Sequence, residues 1–351
     1  MEPLRFGLCG CGGIAGLHAD CMRRLEQRGV ARFVAGAEPD AGRREAFGRK
    51  WGIAMHATLE ELLARDDLDA VTICSPSGLH GDQCVAVARS GRHVLCEKPM
   101  DLRVEKVDAA IAAAKQANVV LGGVFQQRFP AGPRKVKRAI DAGYFGKIVF
   151  VHCETPWYRA QSYYDSGDWR GTWALDCGVL ANQSPHMIDR LLWLGGDIAE
   201  VISATCDAGR ERDIEAETLA VATVRLENGA LGTVTGTTLA YDGLPQRVLI
   251  CGTEGSAAFD GDKLSHFKTS RPFEEAPTTD APATADTPSG ENKAAEPLAM
   301  ASNDHEANIL DFCFAVRERR APLVTAEDQR KVVRALNLIY QKAQVGPWAK
   351  G

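Results

Sequence analysis

Lys98 stands in Glu97-Lys98-Pro99, directly after a short apolar run that ends at Cys96. His186 follows Pro185 in the stretch Asn182-Gln183-Ser184-Pro185-His186. When hydride leaves a carbinol carbon, its oxygen must lose a proton, and a lysine or histidine within hydrogen-bond reach can take it. Both residues are therefore candidates for acid–base work in alcohol oxidation. Lysine does this best with its pKa lowered, which a buried site achieves. The plainer readings are a surface lysine in a loop and a core histidine. Asn182 lies four residues before His186, and on one continuous helix the two share a face. Asn cannot carry the charge that raises a neighbouring histidine pKa, so it reads as a binder or orienter.

Hydride transfer needs a carrier, and the amino-terminal residues suit one. Residues 5–9 are a short apolar run, Gly10-Cys11-Gly12-Gly13-Ile14-Ala15-Gly16 follows, and a helical pattern covers 17–27. A second apolar run, 30–37, ends at Glu38. In Gly-x-Gly-x-x-Ala between strand and helix, each small residue has a task. Gly10 permits a tight turn, Gly12 leaves room for a pyrophosphate, and Ala15 lets helix and strand pack closely. The free N–H groups and dipole at the helix start attract phosphate. A carboxylate at Glu38 accepts the adenosine ribose hydroxyls and repels a 2′-phosphate, which favours NAD over NADP. Arg43 and Arg44 would either offset that repulsion or lie solvated on a helix. Gly10, Gly12, Gly13, Ile14 and Glu38 are the dinucleotide contacts expected here. A bare glycine turn is the rival reading.

The pattern then alternates. Helices are expected over 40–51, 59–64, 81–90 and 104–117, a fully apolar strand over 70–74, and further strands over 93–96 and 119–124. Short apolar strands separated by helices make a parallel sheet covered on both faces. The predicted fold class is α/β, with a Rossmann-type doubly wound parallel sheet over residues 1–124. Ligands bind beyond the carboxyl ends of such strands. Three loops lie there: the glycine loop, 75–80 with Ser75, Pro76 and His80, and Glu97-Lys98-Pro99.

In this order the glycine loop, Ser75-Pro76 through His80, Glu97-Lys98-Pro99 and Pro185-His186-Met187-Ile188-Asp189 resemble the glucose–fructose oxidoreductase/inositol dehydrogenase family. The resemblance covers nearly the whole chain. It implies an NAD(P)-dependent oxidoreductase acting on a secondary alcohol or ketone of a sugar, cyclitol or sugar nucleotide. It implies that Lys98 contacts substrate and cofactor and handles the proton, alone or with His186. Ser75, Pro76, His80 and Glu97 would line the cofactor. Many members carry Asp where this chain has Asn182. The stretches 180–186 and 213–217 resemble the subgroup that acts on sugar nucleotides, such as N-acetylglucosaminuronate 3-dehydrogenases. Asp176-Cys177-Gly178-Val179 replaces the usual run of glycines and is expected to narrow the substrate side. An NAD-requiring glycosidase working by oxidation, elimination and reduction is one alternative, and a free inositol or glycoside dehydrogenase another. A non-catalytic dinucleotide sensor is a third, opposed by the intact Lys98 and His186.

From residue 125 the pattern changes. A helix is expected over 132–142 and a strand over 148–154, followed by a segment rich in aromatic residues and arginine. Aromatic faces stack on sugar or base rings, and arginine forks onto carboxylate or phosphate. Arg128, Trp169 and Arg170 are expected at the cofactor or an anion. Arg159 and Tyr163 are expected at the substrate, with Lys98, Asn182 and His186. Strands over 218–226 and 230–240 flank Glu227-Asn228-Gly229, a hairpin signal, and 246–251, 256–259 and 263–267 add to them. Residues 125–351 thus read as an α+β domain with a large open, mainly antiparallel sheet. The resemblance implies that its free face is buried in a homodimer or homotetramer. Residues 268–300, rich in Pro, Thr, Ala and acids, read as a mobile loop or insertion. Helices are expected over 305–319 and 325–344.

The remaining composition narrows the partners. The 351 residues carry 41 basic and 46 acidic side chains, net −5, which gives no general case for nucleic acid or an anionic membrane. No apolar run approaches the ~20 residues of a spanning helix. Eleven scattered cysteines resemble neither a disulfide framework nor a zinc site. With no export signal read at the amino terminus, reduced thiols point to the cytoplasm.

Overall fold

A computed structural model of the protein describes residues 2–274 and 302–349. The chain divides into two compact units, Met1–Gln126 with Ala301–Arg330, and Gln127–Met300 with Lys331–Gly351.

The first unit holds six parallel strands: β1 (Leu4–Cys9), β2 (Ala31–Ala37), β3 (Ala54–His56), β4 (Ala70–Ile73), β5 (His93–Cys96) and β6 (Leu121–Gly123). Their order is β3-β2-β1-β4-β5-β6, the doubly wound arrangement. Helices α1 (Gly13–Gln27), α2 (Ala41–Trp51), α3 (Leu59–Leu63), α4 (His80–Arg89) and α5 (Val104–Ala117) connect them. The strands β1, β4 and β5 are almost wholly buried, so they read as continuous apolar runs. Strand β3 has only three residues and no apolar run to announce it.

Register aligns the ends of these strands. Cys9 pairs with Ala37 and with Ile73, Ile73 pairs with Cys96, and Cys96 pairs with Gly123. Gly10, Glu38, Cys74, Glu97 and Val124 therefore leave the sheet along one edge.

The second unit is built on β7 (Ile148–Pro156), β8 (Ile198–Ala208), β9 (Glu217–Leu226), β10 (Leu231–Thr237), β11 (Arg247–Gly252), β12 (Gly255–Asp260) and β13 (Lys263–Thr269). Their order is β13-β12-β11-β7-β10-β9-β8, antiparallel except for the β7–β10 pair. Helices α6 (Ala131–Asp141), α7 (Gln161–Tyr164), α8 (Val179–Asn182) and α9 (Pro185–Gly195) accompany this sheet. The Asn-Gly signal is a hairpin: Gly229 turns at φ +86, and the Leu226 N–H donates to the Ala230 carbonyl. Strand β8 went unread because Glu200, Ser203, Thr205 and Asp207 break its apolar pattern and three bulges shift its register.

The carboxyl-terminal helices correct the expected domain division. Helix α10 (Ser302–Glu318) belongs to the first unit, although everything after residue 124 was assigned to the second. Ile309, Leu310, Phe312 and Cys313 join the core of Phe6, Leu8, Ala15 and Met22, with the Phe6 and Phe312 rings 6.1 Å apart. Helix α11 (Ala326–Ala343) starts in the first unit and ends in the second. The expected loop at 268–300 also needs correction, since Lys268 and Thr269 complete β13. Its residues 275–300 lie outside those described.

Candidate active site

The glycine loop shows why each small residue is required. Gly10 turns at φ +88, and a Cβ there would lie 2.6 Å from the Ser75 nitrogen. Nothing stands within 4 Å of a Cβ built on Gly12. No side chain caps α1, and its first turn holds no acid. Buried Ala15 packs in the core. The first turn of α1 is thus uncapped and carries no acid of its own, which fits a pyrophosphate.

Glu38 is fixed beside this loop. Its Oε2 accepts the Cys11 N–H at 2.8 Å, and its Oε1 accepts the Asp40 N–H at 3.1 Å. Arg43 forks onto Oε1 at 3.1 and 3.2 Å, whereas Arg44 donates to the Glu38 and Pro39 carbonyls. The Cys11 and Asp40 amides therefore fix the carboxylate at the end of β2.

The two other loops are tied together by His80. Its Nδ1 lies 2.7 Å from the Pro99 carbonyl oxygen and its Nε2 2.8 Å from that of Ser75. Burial holds the His80 pKa below its ordinary value, against the raising effect of the two carbonyl contacts. The Ser75 hydroxyl donates to Gln83 at 2.5 Å. Pro76 leads into a single 3-10 turn, Ser77–Leu79. The Lys98-Pro99 peptide is cis. Sequence reasoning missed Asp101, which accepts the N–H groups of Gly81, Leu102 and Arg103 and so pins α4 beside this loop. Burial pushes its carboxyl up to about 6.

In the second unit the aromatic segment gathers around Tyr163. Strand β7 runs into Trp157, and the Arg159 N–H is held by the Thr238 carbonyl at 2.8 Å. The Tyr163 hydroxyl accepts Arg170 Nη1 at 2.6 Å and Asn182 Nδ2 at 3.3 Å. The Arg159 guanidinium stacks on Trp157 and Tyr163, and that of Arg170 on Tyr163 and Trp169. Arg159 is buried, and that burial lowers its pKa. Burial likewise raises the Tyr163 hydroxyl above its ordinary range. Asn182 also donates to Asp176 Oδ1 at 2.5 Å. The structure thus brings Arg159, Tyr163, Trp169, Arg170 and Asn182 together and adds Asp176, whose partnership no local pattern announces.

Two expectations are corrected here. Arg128 was expected to meet the cofactor or an anion from outside. Its fork instead closes on Asp189 at 2.9 and 2.5 Å, with both side chains buried, and the guanidinium lies over Trp193. Asn182 and His186 were expected on one helix face. Asn182 ends α8, and Pro185 opens α9 as a separate helix after Ser184. Proline supplies no N–H to continue a preceding helix but suits the first turn of a new one. His186 is consequently a first-turn residue of α9 and is buried.

Comparison with known proteins decides what this arrangement belongs to. Residues 4–124 match an oxidoreductase family with an NAD-binding Rossmann fold, and residues 134–258 match the GFO/IDH/MocA C-terminal domain. The chain belongs to the Gfo/Idh/MocA oxidoreductase family. It is an NAD-dependent oxidoreductase of that family. The WlbA dehydrogenase of Bordetella pertussis, solved with NADH and UDP-GlcNAcA, is 30% identical with TM-score 0.84, covering 98% of this chain and 97% of its own. Myo-inositol 2-dehydrogenase of Thermotoga maritima is 26% identical over 72% of this chain and 74% of its own. Inositol 2-dehydrogenase of Rhizobium meliloti is 27% identical over 74% and 76%. The stretch matching the NAD-binding Rossmann fold of the Gfo/Idh/MocA family, residues 4–124, contains the loop of Gly10 and Gly12 described above. No helix among the described residues is long and apolar enough to cross a membrane. All eleven cysteines are free thiols.

Proposed function

We propose that the protein oxidises a ring secondary alcohol of a sugar nucleotide, or reduces the matching ketone, with NAD as the hydride carrier. The nicotinamide cofactor, when bound, accepts or donates the hydride. Gly10, Gly12, Gly13 and Ile14 hold the pyrophosphate, Glu38 the adenosine ribose, and Ser75, Pro76, His80 and Glu97 shape the loops around them. Lys98 takes the proton from the reacting hydroxyl, and His186 assists it. Asn182 orients the sugar ring. Trp169 and Arg170 are the second unit's contacts toward the cofactor. We assign Arg159 and Tyr163 to the substrate.

The convergence of two guanidinium groups and the Asn182 amide on Tyr163 carries the choice of substrate. A desolvated guanidinium is best satisfied by a carboxylate or phosphate, and an aromatic face beside it suits a sugar ring. A sugar nucleotide with an anionic group offers both. The 30% identity to WlbA, whose crystal holds UDP-GlcNAcA, supports the same class.

The open sheet of the second unit supports a homodimer or homotetramer. Phe150, Val221 and Leu231 stand exposed on its outer face, where Leu231 pairs with Phe150 and Val221 lies on the neighbouring strand. Exposed apolar residues on a paired sheet are best covered by another surface.

An NADH-fluorescence screen of free sugars, inositols, glycosides and UDP-sugars, run in both directions, tests the substrate class. Turnover of an anionic UDP-sugar with stoichiometric NADH is the expected result. Turnover of simple alcohols alone, or release of an aglycone without net NADH, contradicts it.

A further inference from the structure

Beside the Glu97-Lys98-Pro99 loop, inside the first unit, three buried side chains meet: His18 of α1, Glu97, and His305 of α10. His18 Nε2 lies 2.8 Å from Glu97 Oε1, and His305 Nε2 lies 3.8 Å from the same oxygen. The two imidazole rings meet edge to face with centroids 5.9 Å apart. The second carboxylate oxygen, Oε2, accepts the backbone N–H of Lys98 at 3.0 Å. None of the three is more than 4% exposed.

The donors and acceptors allow one consistent assignment. An ionised Glu97 only accepts, so His18 donates from Nε2. The Thr72 hydroxyl lies 3.2 Å from His18 Nδ1 on the other side of the ring. Both nitrogens of His305 lack a hydrogen-bond partner, which is costly for a buried imidazole, and Nε2 faces Glu97. A divalent ion about 2.1 Å from each ligand atom would hold two of them about 3.4 Å apart. The 2.8 Å contact between His18 and Glu97 has the length of a hydrogen bond and is shorter than that tetrahedral separation.

We infer that His18 and His305 are positioning residues for Lys98, acting through Glu97. They fix the Glu97 carboxylate as an anion, and that anion holds the Lys98 main chain and lies in the cluster to which the Lys98 charge couples. The inference rests on the reading of Lys98 as the proton-handling residue.

The electrostatics agree with the geometry. Burial alone would raise the Glu97 pKa, but the His18 hydrogen bond and the facing His305 imidazole overturn it and hold the carboxyl well below its usual range. The other titratable groups whose charge couples to this cluster are Cys74 after β4, Cys96 on β5, His80 on α4 and Lys98 itself. Burial keeps both thiols protonated and lowers the pKa of His80 and His305. The Lys98 charge lowers both imidazoles further, which places it within electrostatic reach of the cluster.

Removing either histidine leaves a buried carboxyl that takes up a proton near neutral pH. With the anion gone, Lys98 releases its own proton more readily. The pH at which the oxidation rate rises should then move down. The experiment compares kcat against pH, KM for NAD and thermal stability in the full-length enzyme and in His18→Leu, His305→Leu, His305→Gln and Glu97→Gln. Both Leu variants and Glu97→Gln should shift the rising limb down by about one pH unit or more, and in the two Leu variants KM for NAD should change less than about threefold. His305→Gln, whose amide offers the facing Glu97 a neutral N–H, should keep the original limb and serves if His305→Leu fails to fold. A uniform loss of kcat without a shift overturns the inference, as does a shift in Glu97→Gln alone or stoichiometric metal in the isolated protein. Turnover in Lys98→Ala would defeat the reading of Lys98. An inactive Lys98→Ala with unmoved limbs in the histidine variants would defeat this inference alone.

Discussion

The Asn182 side-chain amide donates to the Asp176 carboxylate at 2.5 Å. Asn182 itself carries no charge, and this chain supplies an acid from six residues upstream. The charge that seemed lost in the sequence is present as a neighbour. Replacing Asn182 with Asp would set two carboxylates against each other, and like charges at contact are costly. We expect Asn182→Asp to lose about 1–3 kcal/mol of stability at pH 8, with the loss shrinking toward pH 5 as one carboxyl is protonated. Thermal unfolding across that range checks it, and a variant more stable than the parent at pH 8 contradicts it.

Glu217 gives a pH dependence of its own. Its Oε1 accepts the Tyr340 hydroxyl at 2.7 Å and the Leu180 N–H at 2.9 Å, inside the second unit. Burial raises its pKa from 4.5 to about 7. The folded state then binds more protons than the unfolded state, so stability from this group is fullest below pH 4.5 and declines as pH rises to about 7. The decline is on the order of 2–3 kcal/mol. Glu217→Gln keeps an acceptor for both donors and should flatten that slope, so its melting temperature should gain on the parent between pH 5 and pH 8. An unchanged slope contradicts the assignment.

The outer face of the sheet predicts an assembly defect. Val221 is 49% exposed on β9, with Leu231 at 43% on β10 and Phe150 at 37% on β7. A buried carboxylate without a partner opposes association. Val221→Asp should therefore shift the protein to a smaller species in size-exclusion chromatography with light scattering, with its circular dichroism unchanged. A parent protein that is already monomeric overturns the interface.

The first unit was largely legible in the sequence because its strands are buried on both faces and its functional loops sit at their ends. Gly10, Glu38 and Glu97 needed no tertiary information, since strand periodicity and register place them on one edge. What stayed hidden depends on side chains meeting across long separations. Nothing local in His18 or His305 points to Glu97, and Asp189 claims Arg128 from a different helix. The break between Asn182 and His186 was visible as Pro185 but was outweighed by the helical spacing around it. Helix α10 was recognised as a helix, yet amphipathic periodicity does not say which core an apolar face joins.

The central claim is that Lys98 handles the proton during NAD-dependent hydride transfer. The most direct test is single-turnover NADH fluorescence with purified Lys98→Ala and the substrate found by the screen, alongside NAD titration of the same protein. The account predicts a hydride-transfer rate lower by about two to four orders of magnitude with NAD affinity close to that of the parent. A rate within a few-fold of the parent, with NAD bound normally, would contradict it.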